Sequence, residues 1–373
     1  NARRTLVDFF MEMWTAPVLA ILLGLALVMG GSRTAVLPFW APLLLLWLMS
    51  PVVGWWISVP LLSPEPHLTD DQRMFLRASA RRTWRFFAQF VGAQDNWLPP
   101  DNFQEYPAKA IASRTSPTNI GLSLLANLAA CDFGYITSGD FLRLTSNTLT
   151  TMEKMERYSG HFFNWYDTRT LQPLHPQYIS SVDSGNLAGS LLTLQAGLAE
   201  LKDQPVLSSN AFQGLQDTLQ IFAEYAPSLP APELARKIKF LQDTLHSLVV
   251  NGHPQSIVAV VGALDAMHRA GEGLVACLPV GVDIDGELFY WAQAFDQQIR
   301  ALREDLGVLV SDPRHFSNIP TLSELGNRSA VERLGFIDEL VDRCRALAVM
   351  DFKFLYDTSR DLLSIGYDVS ERR

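Results

Sequence analysis

The chain has 373 residues, of which 48% are hydrophobic and only 18% are charged, and its formal net charge is −9. This acidic balance argues against a nucleic-acid surface, because phosphate binding requires clustered Lys and Arg, and it leaves neutral partners such as sugars open. Three widely separated cysteines outside any CxxC pattern, and seven histidines without an HExxH motif, predict neither a disulfide framework nor a metal site.

Two charge-free stretches near the N-terminus are each about long enough to cross a bilayer. They run from Met13 to Ser32 and from Thr34 to Ser63. We predict that residues 1–63 form a hairpin of two transmembrane helices, and the alternative is a pair of buried core helices. The tryptophans of the second stretch are placed like interfacial anchors: Trp40, Trp55 and Trp56.

Basic residues flank this apolar region on both sides, and only Arg33 separates its two stretches. By the positive-inside rule, both flanks are expected on the cytoplasmic side, together with the rest of the chain. The flanking residues are Arg3, Arg4, Arg77, Arg81, Arg82 and Arg85. Prolines in the second stretch, Pro38, Pro42 and Pro51, are expected to kink or break its helix.

From residue 64 onward the composition is that of a helical domain with polar loops. Apolar periodicity predicts helices over 67–91, 119–131, 139–158, 183–201, 211–225, 231–250, 255–269, 286–302 and 330–348. Residues 95–102 are predicted to form a loop, and residues 352–356 and 362–367 a short hairpin. The fold class is therefore all-α: a bundle, a solenoid or an α/α toroid, among which periodicity does not choose. The absence of an internal repeat of fixed length weakens the solenoid interpretation.

Aromatic and short polar residues alternate in residues 161–168, with the sequence HFFNWYDT, and residues 180–187 follow with SSVDSGNL. A sugar ring has apolar C–H faces and a rim of hydroxyls, so a Trp or Tyr ring beside Asp and Asn fits a saccharide subsite. Asp183 or Ser184 also fits the N-cap of a helix, which is the more ordinary role. Composition leaves both interpretations open.

No catalytic carboxylate pair stands out by spacing. Glycosyl transfer requires two positioned carboxylates, and the candidates are isolated: Asp101, Glu105, Asp132 and Asp140. Residues 283–285, with the sequence DID, mimic the DxD metal motif of nucleotide-sugar transferases. They precede an apolar helical pattern, however, and are better interpreted as a helix cap.

Several blocks together resemble the glycoamylase-like middle region of the cyclic β-1,2-glucan synthases. They are residues 114–121, RTSPTNIG; 160–168, GHFFNWYDT; and 182–187, VDSGNL. Residues 97–102, WLPPDN, and 350–357, MDFKFLYD, are similar as well. The blocks occur in matching order over nearly all of the chain after about residue 90, and together they are specific.

The resemblance implies a large inner-membrane enzyme of which this chain is a segment, and we interpret both ends as internal. Residues 13–63 would be the last membrane helices of a glycosyltransferase part, within a membrane region of residues 1–63. Residues 64–373 would be the first part of a glycoamylase-like (α/α)6 domain. UDP-glucose and a divalent metal would belong to the upstream transferase part, and no cofactor is expected in this segment. The catalytic carboxylates are expected downstream of Arg373.

By the same resemblance, a set of side chains in this segment would position the glucan. The set comprises Trp165, Tyr166, Asp167, Asp183 and Asn186, with Arg114 and Asn119 beside them. The predicted function is thus glucan binding within the cyclising transglycosylation module, by a segment that is inactive alone. The expected partners are β-1,2-glucan, the lipid bilayer and the rest of the same polypeptide. The alternatives are a membrane-anchored β-glucan hydrolase of the same fold and a non-catalytic membrane scaffold that binds a protein partner.

Overall fold

The computed structural model describes residues 5–29, 37–58, 68–226, 232–250, 256–278, 286–316 and 318–372. These residues fall into two compact units, Asn1–Thr69 and Asp70–Arg373, which are treated separately below.

In its described residues, the first unit has three helices: α1 (Leu6–Glu12), α2 (Thr15–Met29) and α3 (Leu37–Ser58). Helices α1 and α2 both pack against α3. By length and composition, residues Phe39–Ser58 of α3 are apolar enough to cross a membrane. Helices α1 and α2 meet at a bend of 65° and provide a second candidate if they are counted as one span.

The prolines of the second apolar stretch do not end its helix. Helix α3 continues through Pro42 and Pro51, so of the predicted kink or break, the break is wrong. Ser32, Arg33, Thr34 and Ser63, which bound the two predicted stretches, lie outside the described residues.

The second unit is mostly helical, as predicted. Its helices are α4 (Asp70–Phe90), α5 (Pro117–Asp132), α6 (Ser138–Lys154), α7 (Ser181–Glu200), α8 (Ser209–Tyr225), α9 (Pro232–Val250), α10 (Ile257–Ala276), α11 (Glu287–Leu309), α12 (Leu322–Leu325) and α13 (Arg328–Leu347). Nine of these match the predicted helices within a few residues at most ends, and α12 is additional. Three predicted ends need correction. Helix α6 was predicted to reach Tyr158 but ends at Lys154, and α10 and α11, predicted to end at Arg269 and Leu302, continue to Ala276 and Leu309.

Short antiparallel strand pairs join the loops at the helix ends. Strand β1 (Phe103–Gln104) pairs with β2 (Ala110–Ile111), and β3 (Arg114–Thr115) pairs with β6 (Tyr166–Asp167). Strand β4 (Arg157–Tyr158) pairs with β5 (His161–Phe162), and β8 (Tyr356–Asp357) with β9 (Leu362–Leu363). Strand β7 (Tyr178–Ser180) pairs with β10 (Gly366–Asp368).

The predicted hairpin near the C-terminus is only partly correct. Residues Phe352–Leu355 form a 3-10 turn, and the hairpin is confined to β8 and β9. Gly366 and Tyr367, predicted to continue that hairpin, instead pair with Ser180 and Ile179, which lie far earlier in the sequence. This pairing brings a distant loop to the start of α7.

Candidate functional site

Helices α5 and α7 pack closely and begin near each other, because their first turns are joined by side chains. Each helix is capped by a serine that precedes it. Ser116 Oγ accepts from the Asn119 N–H at 3.2 Å, and Ser180 Oγ accepts from the Asp183 N–H at 3.1 Å. The N-cap of α7 is therefore Ser180, so the interpretation of Asp183 or Ser184 as the cap is wrong, and the Asp183 carboxylate is available for other contacts.

Gly121 allows the close approach of α5 and α7. A Cβ atom at Gly121 would lie 2.7 Å from Ser190 Oγ and 3.5 Å from the Leu187 Cα. Because a side chain would have to displace α7 at this point, glycine keeps the two helix N-termini close together.

Two strand pairs place the preceding loops around these helix ends. In the β3–β6 pair, Arg114 lies opposite Asp167 and Thr115 opposite Tyr166. In the β7–β10 pair, Ser180 lies opposite Gly366, and the Ser181 N–H and Oγ both donate to the Ile365 carbonyl. The loops before α5, before α7 and near the C-terminus thus converge on one end of the α5–α7 pair.

A continuous set of polar contacts crosses this end, and we call it the polar network: Asp101, Thr118, Arg114, Asn164, Trp165, Asp183 and Asn186. Its first part is built on Arg114, whose guanidinium donates to Asp101 Oδ2 at 2.9 and 3.2 Å. The same guanidinium lies over the Trp165 indole, 4.7 Å from the ring centroid. This cation–π contact fixes the orientation of a half-buried aromatic ring.

The second part of the polar network is built on Asp183. Thr118 Oγ1 donates to Asp183 Oδ1 at 2.6 Å, and Asn186 Nδ2 donates to Thr118 Oγ1 at 3.2 Å. In the amide orientation that satisfies its neighbours, Asn164 donates to Asp183 Oδ2 at 3.0 Å and accepts from Trp165 Nε1 at 3.2 Å. The network therefore links the predicted Arg114, Trp165, Asp183 and Asn186 through two residues, Asn164 and Thr118.

Neither Asn164 nor Thr118 was among the predicted site residues. Both lie inside the blocks that carried the family resemblance, between or next to the residues that were selected. The sequence signal for Asn164 was its place between aromatic residues. When such rings pack together, a polar side chain between them must form a hydrogen bond with a neighbour.

Tyr166 and Asp167 occupy structural positions. The Tyr166 ring is fully buried, and its hydroxyl donates to the Glu156 carbonyl at 2.6 Å and accepts from the Phe163 N–H at 2.8 Å. Burial raises the pKa of Tyr166. Because the Tyr166 ring is not exposed to solvent, the prediction that it contacts a sugar directly is wrong.

The Asp167 carboxylate stabilises its own turn. Asp167 Oδ1 accepts from the N–H groups of Thr170 and Arg169, at 2.8 and 2.9 Å, and from Thr170 Oγ1 at 3.1 Å. These hydrogen bonds, the one from the Thr170 N–H first, lower the pKa of Asp167. Its Arg114 partner in the strand pair belongs to the polar network, so Asp167 supports the site through the backbone.

Asn119 lies in the first turn of α5 beside Thr118. Its Nδ2 group is buried and has no hydrogen-bond partner among the described residues. A buried amide without a hydrogen-bond partner costs free energy. The predicted role of Asn119 in binding glucan stays a prediction.

His161 anchors the start of α7 to the C-terminal loop. The ring is fully buried, its Nδ1 lies 2.9 Å from Ser184 Oγ, and it packs edge-on against Phe352 and Phe354. Burial lowers the pKa of His161. His161, Phe352 and Phe354 therefore form a packed aromatic cluster beside the start of α7.

We expect the stability of the second unit to fall as the pH decreases through the range in which unfolded histidine is protonated. The folded state favours neutral His161, whereas the unfolded chain takes up a proton at about pH 6.5, so the free energy of unfolding decreases below that pH. Denaturant unfolding between about pH 7.5 and 5.5 should show a smaller decrease for His161→Phe than for the unsubstituted chain. Equal pH dependence in both proteins would contradict this role.

Two of the isolated carboxylates that the sequence analysis named as candidate acids or bases form ion pairs with arginines. Asp101 pairs with Arg114, and Asp140 pairs with Arg143 in the first turn of α6. Burial, with Glu200 nearby, raises the pKa of Asp132. Within the described residues, no three His, Cys, Asp or Glu side chains are grouped closely enough to hold a metal ion. Residues 283–285, including the DxD-like segment, lie outside the described residues.

Comparisons with known proteins give both solved structures and a related sequence. The chain resembles two solved proteins described as glucoamylases. The one from Bacteroides caccae is 14% identical with a TM-score of 0.29, covering 80% of this chain and 90% of that one. The one from Bacteroides fragilis is 20% identical with a TM-score of 0.25, covering 52% and 41%. No family model matches the chain.

The sequence comparison gives a more specific relation. Over 97% of its length, the chain is 34% identical to the cyclic β-(1,2)-glucan synthase NdvB of Rhizobium meliloti. This confirms the resemblance to the cyclic β-1,2-glucan synthases: the chain is related to a segment of such an enzyme. The chain spans 13% of the length of that relative.

Proposed function

We propose that this chain contributes glucan binding to the cyclising transglycosylation module of a larger, membrane-bound cyclic β-1,2-glucan synthase. The observation that carries the proposal is the polar network, in which the half-buried Trp165 ring is held next to Asn164, Asp183 and Asn186. Its relation to the NdvB glucan synthase along 97% of the chain supports glucan as the ligand.

The chemistry of the polar network fits a glucosyl unit. The indole presents an apolar surface that complements the C–H face of a sugar ring. Asp183 and Asn186 provide acceptors and donors for hydroxyls, and Asn186 is exposed. Arg114, fixed by Asp101, keeps the indole in one orientation, which reduces the entropy lost when a sugar binds.

The proposal extends to the whole enzyme. Residues 1–63 would supply the last membrane helices of a transferase part that uses UDP-glucose and a divalent metal, and residues 64–373 the first part of an (α/α)6 toroid. The soluble part would face the cytoplasm, and the bilayer and the rest of the polypeptide would be its partners. By the family resemblance, the catalytic carboxylates that glycosyl transfer needs would lie downstream of Arg373.

The test is to incubate the purified chain, in detergent, with linear β-1,2-glucan. We expect measurable binding by calorimetry and no new products by mass spectrometry, since the acid and the nucleophile or base of glycosyl transfer are expected elsewhere. An α-glucan of the same length serves as the control ligand. Equal binding of both glucans would contradict recognition of β-1,2-glucan, cyclic products would place the catalytic pair in this segment, and released glucose would favour the hydrolase alternative.

We also expect the full chain to partition into membranes. Exposed apolar side chains cover α2 and α3, including Leu22, Trp40, Leu45 and Trp56, and burying them in lipid removes this surface from water. Cell fractionation should recover the chain in the membrane pellet, released only by detergent. A monodisperse chain in the soluble fraction without detergent would contradict the membrane proposal.

A further inference from the structure

The second unit contains a cavity of about 480 Å³ between α4, α5, α6 and α11, and no residue of the polar network lines it. This volume falls within the range of roughly 300–1,000 Å³ that is typical of small-molecule sites. Trp84, Phe87 and Trp97 form part of the wall, and the rings of Trp84 and Phe87 are stacked with their centroids 6.2 Å apart. One side of the cavity is therefore aromatic.

Asn127 on α5 is a buried polar residue of the same wall. It is 3% exposed, yet its side-chain amide makes no hydrogen bond to another residue that the structure describes. The amide atoms are not among the polar atoms that are completely sealed from solvent, so the remaining accessible surface of Asn127 includes them. Buried amides are normally hydrogen-bonded. This amide therefore fits a ligand that both accepts from its NH2 group and donates to its carbonyl oxygen.

Trp97 is held at the cavity by a strained backbone. Its φ is +60°, a conformation that bulky residues rarely adopt. Its N–H donates to the Gly92 carbonyl at 2.8 Å, and its carbonyl accepts from Thr148 Oγ1 at 3.1 Å. Strain of this kind is concentrated at binding and catalytic sites. Because the Trp97 ring is half-buried and lines the cavity, the strained loop presents an indole to whatever occupies it.

The charged side chains of the wall already have partners. Arg143 donates to Asp140 Oδ1 at 2.8 Å. Arg81 donates to Thr218 Oγ1 at 2.8 Å and is attracted electrostatically by Asp217. An ionic ligand would bring a charge into the cavity without a free counter-charge to receive it. The charges of the wall therefore favour a neutral ligand.

We propose that this cavity is a second ligand site, which binds a neutral saccharide. Asn127 would bond to sugar hydroxyls, because a hydroxyl can both donate and accept. The rings of Trp84 and Trp97 would contact the apolar C–H face of the sugar. A purely apolar ligand would leave the Asn127 amide without a partner, which is costly for a buried group. The site lies outside the polar network and does not depend on the glucan binding proposed there.

The experiment titrates the full chain by calorimetry, in a detergent without a sugar headgroup, with the β-1,2-linked disaccharide of glucose. We expect a binding step that Asn127→Leu weakens by about tenfold, because leucine keeps the volume and removes the hydrogen bonds. The melting temperature of Asn127→Leu should equal or exceed that of the unsubstituted chain, since an unpaired amide is replaced by an apolar group. Unchanged binding by Asn127→Leu, as for a cavity that holds only water, would overturn the proposal.

Trp165→Ala separates this site from the polar network. It should leave the binding step at the cavity in place, because Trp165 does not line the cavity. If the proposed glucan binding is wrong, Trp165→Ala changes no binding step, whereas failure of the second site leaves Asn127→Leu without effect. The two proposals can therefore fail independently. Loss of all disaccharide binding in Trp165→Ala would overturn the second site.

Leu122→Ala is the matched control, because Leu122 lies on the same helix, is 55% exposed and does not line the cavity. It should leave disaccharide binding unchanged. If Asn127→Leu fails to fold, as judged by circular dichroism, Ala301→Phe tests the same cavity, since Ala301 lies on its wall and a phenyl ring would occupy its volume. Ala301→Phe should abolish this binding step. Full binding by Ala301→Phe, or equal loss of binding in Leu122→Ala and Asn127→Leu, would rule out the site.

Discussion

Replacing Trp165 by alanine is expected to weaken binding of linear β-1,2-glucan by about tenfold, because the stacking face of one aromatic ring is worth about 1–1.5 kcal/mol. The substitution also removes the contact that Arg114 makes with the indole and the hydrogen bond from Trp165 Nε1 to Asn164. Calorimetric titration of the full chain in detergent measures the change. Trp165→Phe keeps an aromatic face and should retain most of the affinity.

Val182→Ala is a suitable control for this prediction. Val182 lies in the same first turn of α7 as Asp183 and is 62% exposed, so its truncation removes no packing and no hydrogen bond of the polar network. Affinity should stay within experimental error of the unsubstituted chain. If Trp165→Ala lowers only the melting temperature and leaves the affinity unchanged, Trp165 is a structural residue and the proposed subsite is wrong.

The helices of the second unit could be predicted from the sequence because each has an apolar face of regular period, and the structure confirms them within a few residues at most ends. Strand pairing was harder to predict. The pairing of Gly366 with Ser180 joins residues far apart in the chain, and neither strand exceeds three residues, so no local pattern specifies the partner. Local periodicity instead favoured a hairpin between neighbouring segments.

The site could be predicted in part, and the two roles of Asp183 show why. An Asp or Ser at a helix start is a common cap, and capping was the ordinary interpretation. The structure assigns that role to Ser180, three residues earlier, so that Asp183 instead bonds to Thr118 on another helix. Only the packing of α5 against α7, which requires Gly121, brings these two side chains together.

Tyr166 illustrates the opposite error. Its neighbours in the aromatic run suggest one surface, but Trp165 lies in the loop before β6, whereas Tyr166 is the first residue of that strand. Trp165 is half-buried beside Arg114, whereas Tyr166 is fully buried with its hydroxyl bonded to backbone. An aromatic run predicts that one ring is exposed without specifying which one, because the register of the strand is set by its distant partner β3.

Gly134→Ala is expected to destabilise the second unit by about 3 kcal/mol or more. Gly134 follows α5 with φ at +77°, a conformation that costs about 1–2 kcal/mol for a residue with a Cβ. The new Cβ would also overlap the Asn210 carbonyl and lie 2.6 Å from the Ala211 Cα, both of which are backbone atoms that cannot rotate away. Relieving this overlap requires a backbone shift, which typically costs a further 1–3 kcal/mol, roughly. Thermal unfolding monitored by circular dichroism in detergent measures the loss.

Gly189→Ala is the matched control, because Gly189 is an exposed position of α7 with no atom within 4 Å of its Cβ position. Alanine has a higher helix propensity than glycine, so this substitution should stabilise the unit by about 0.5–1 kcal/mol. The two glycine substitutions are thus expected to change stability in opposite directions. A small effect of both would show that the loop after α5 can move away from α8, in which case the contact of Gly134 with the start of α8 does not constrain the fold.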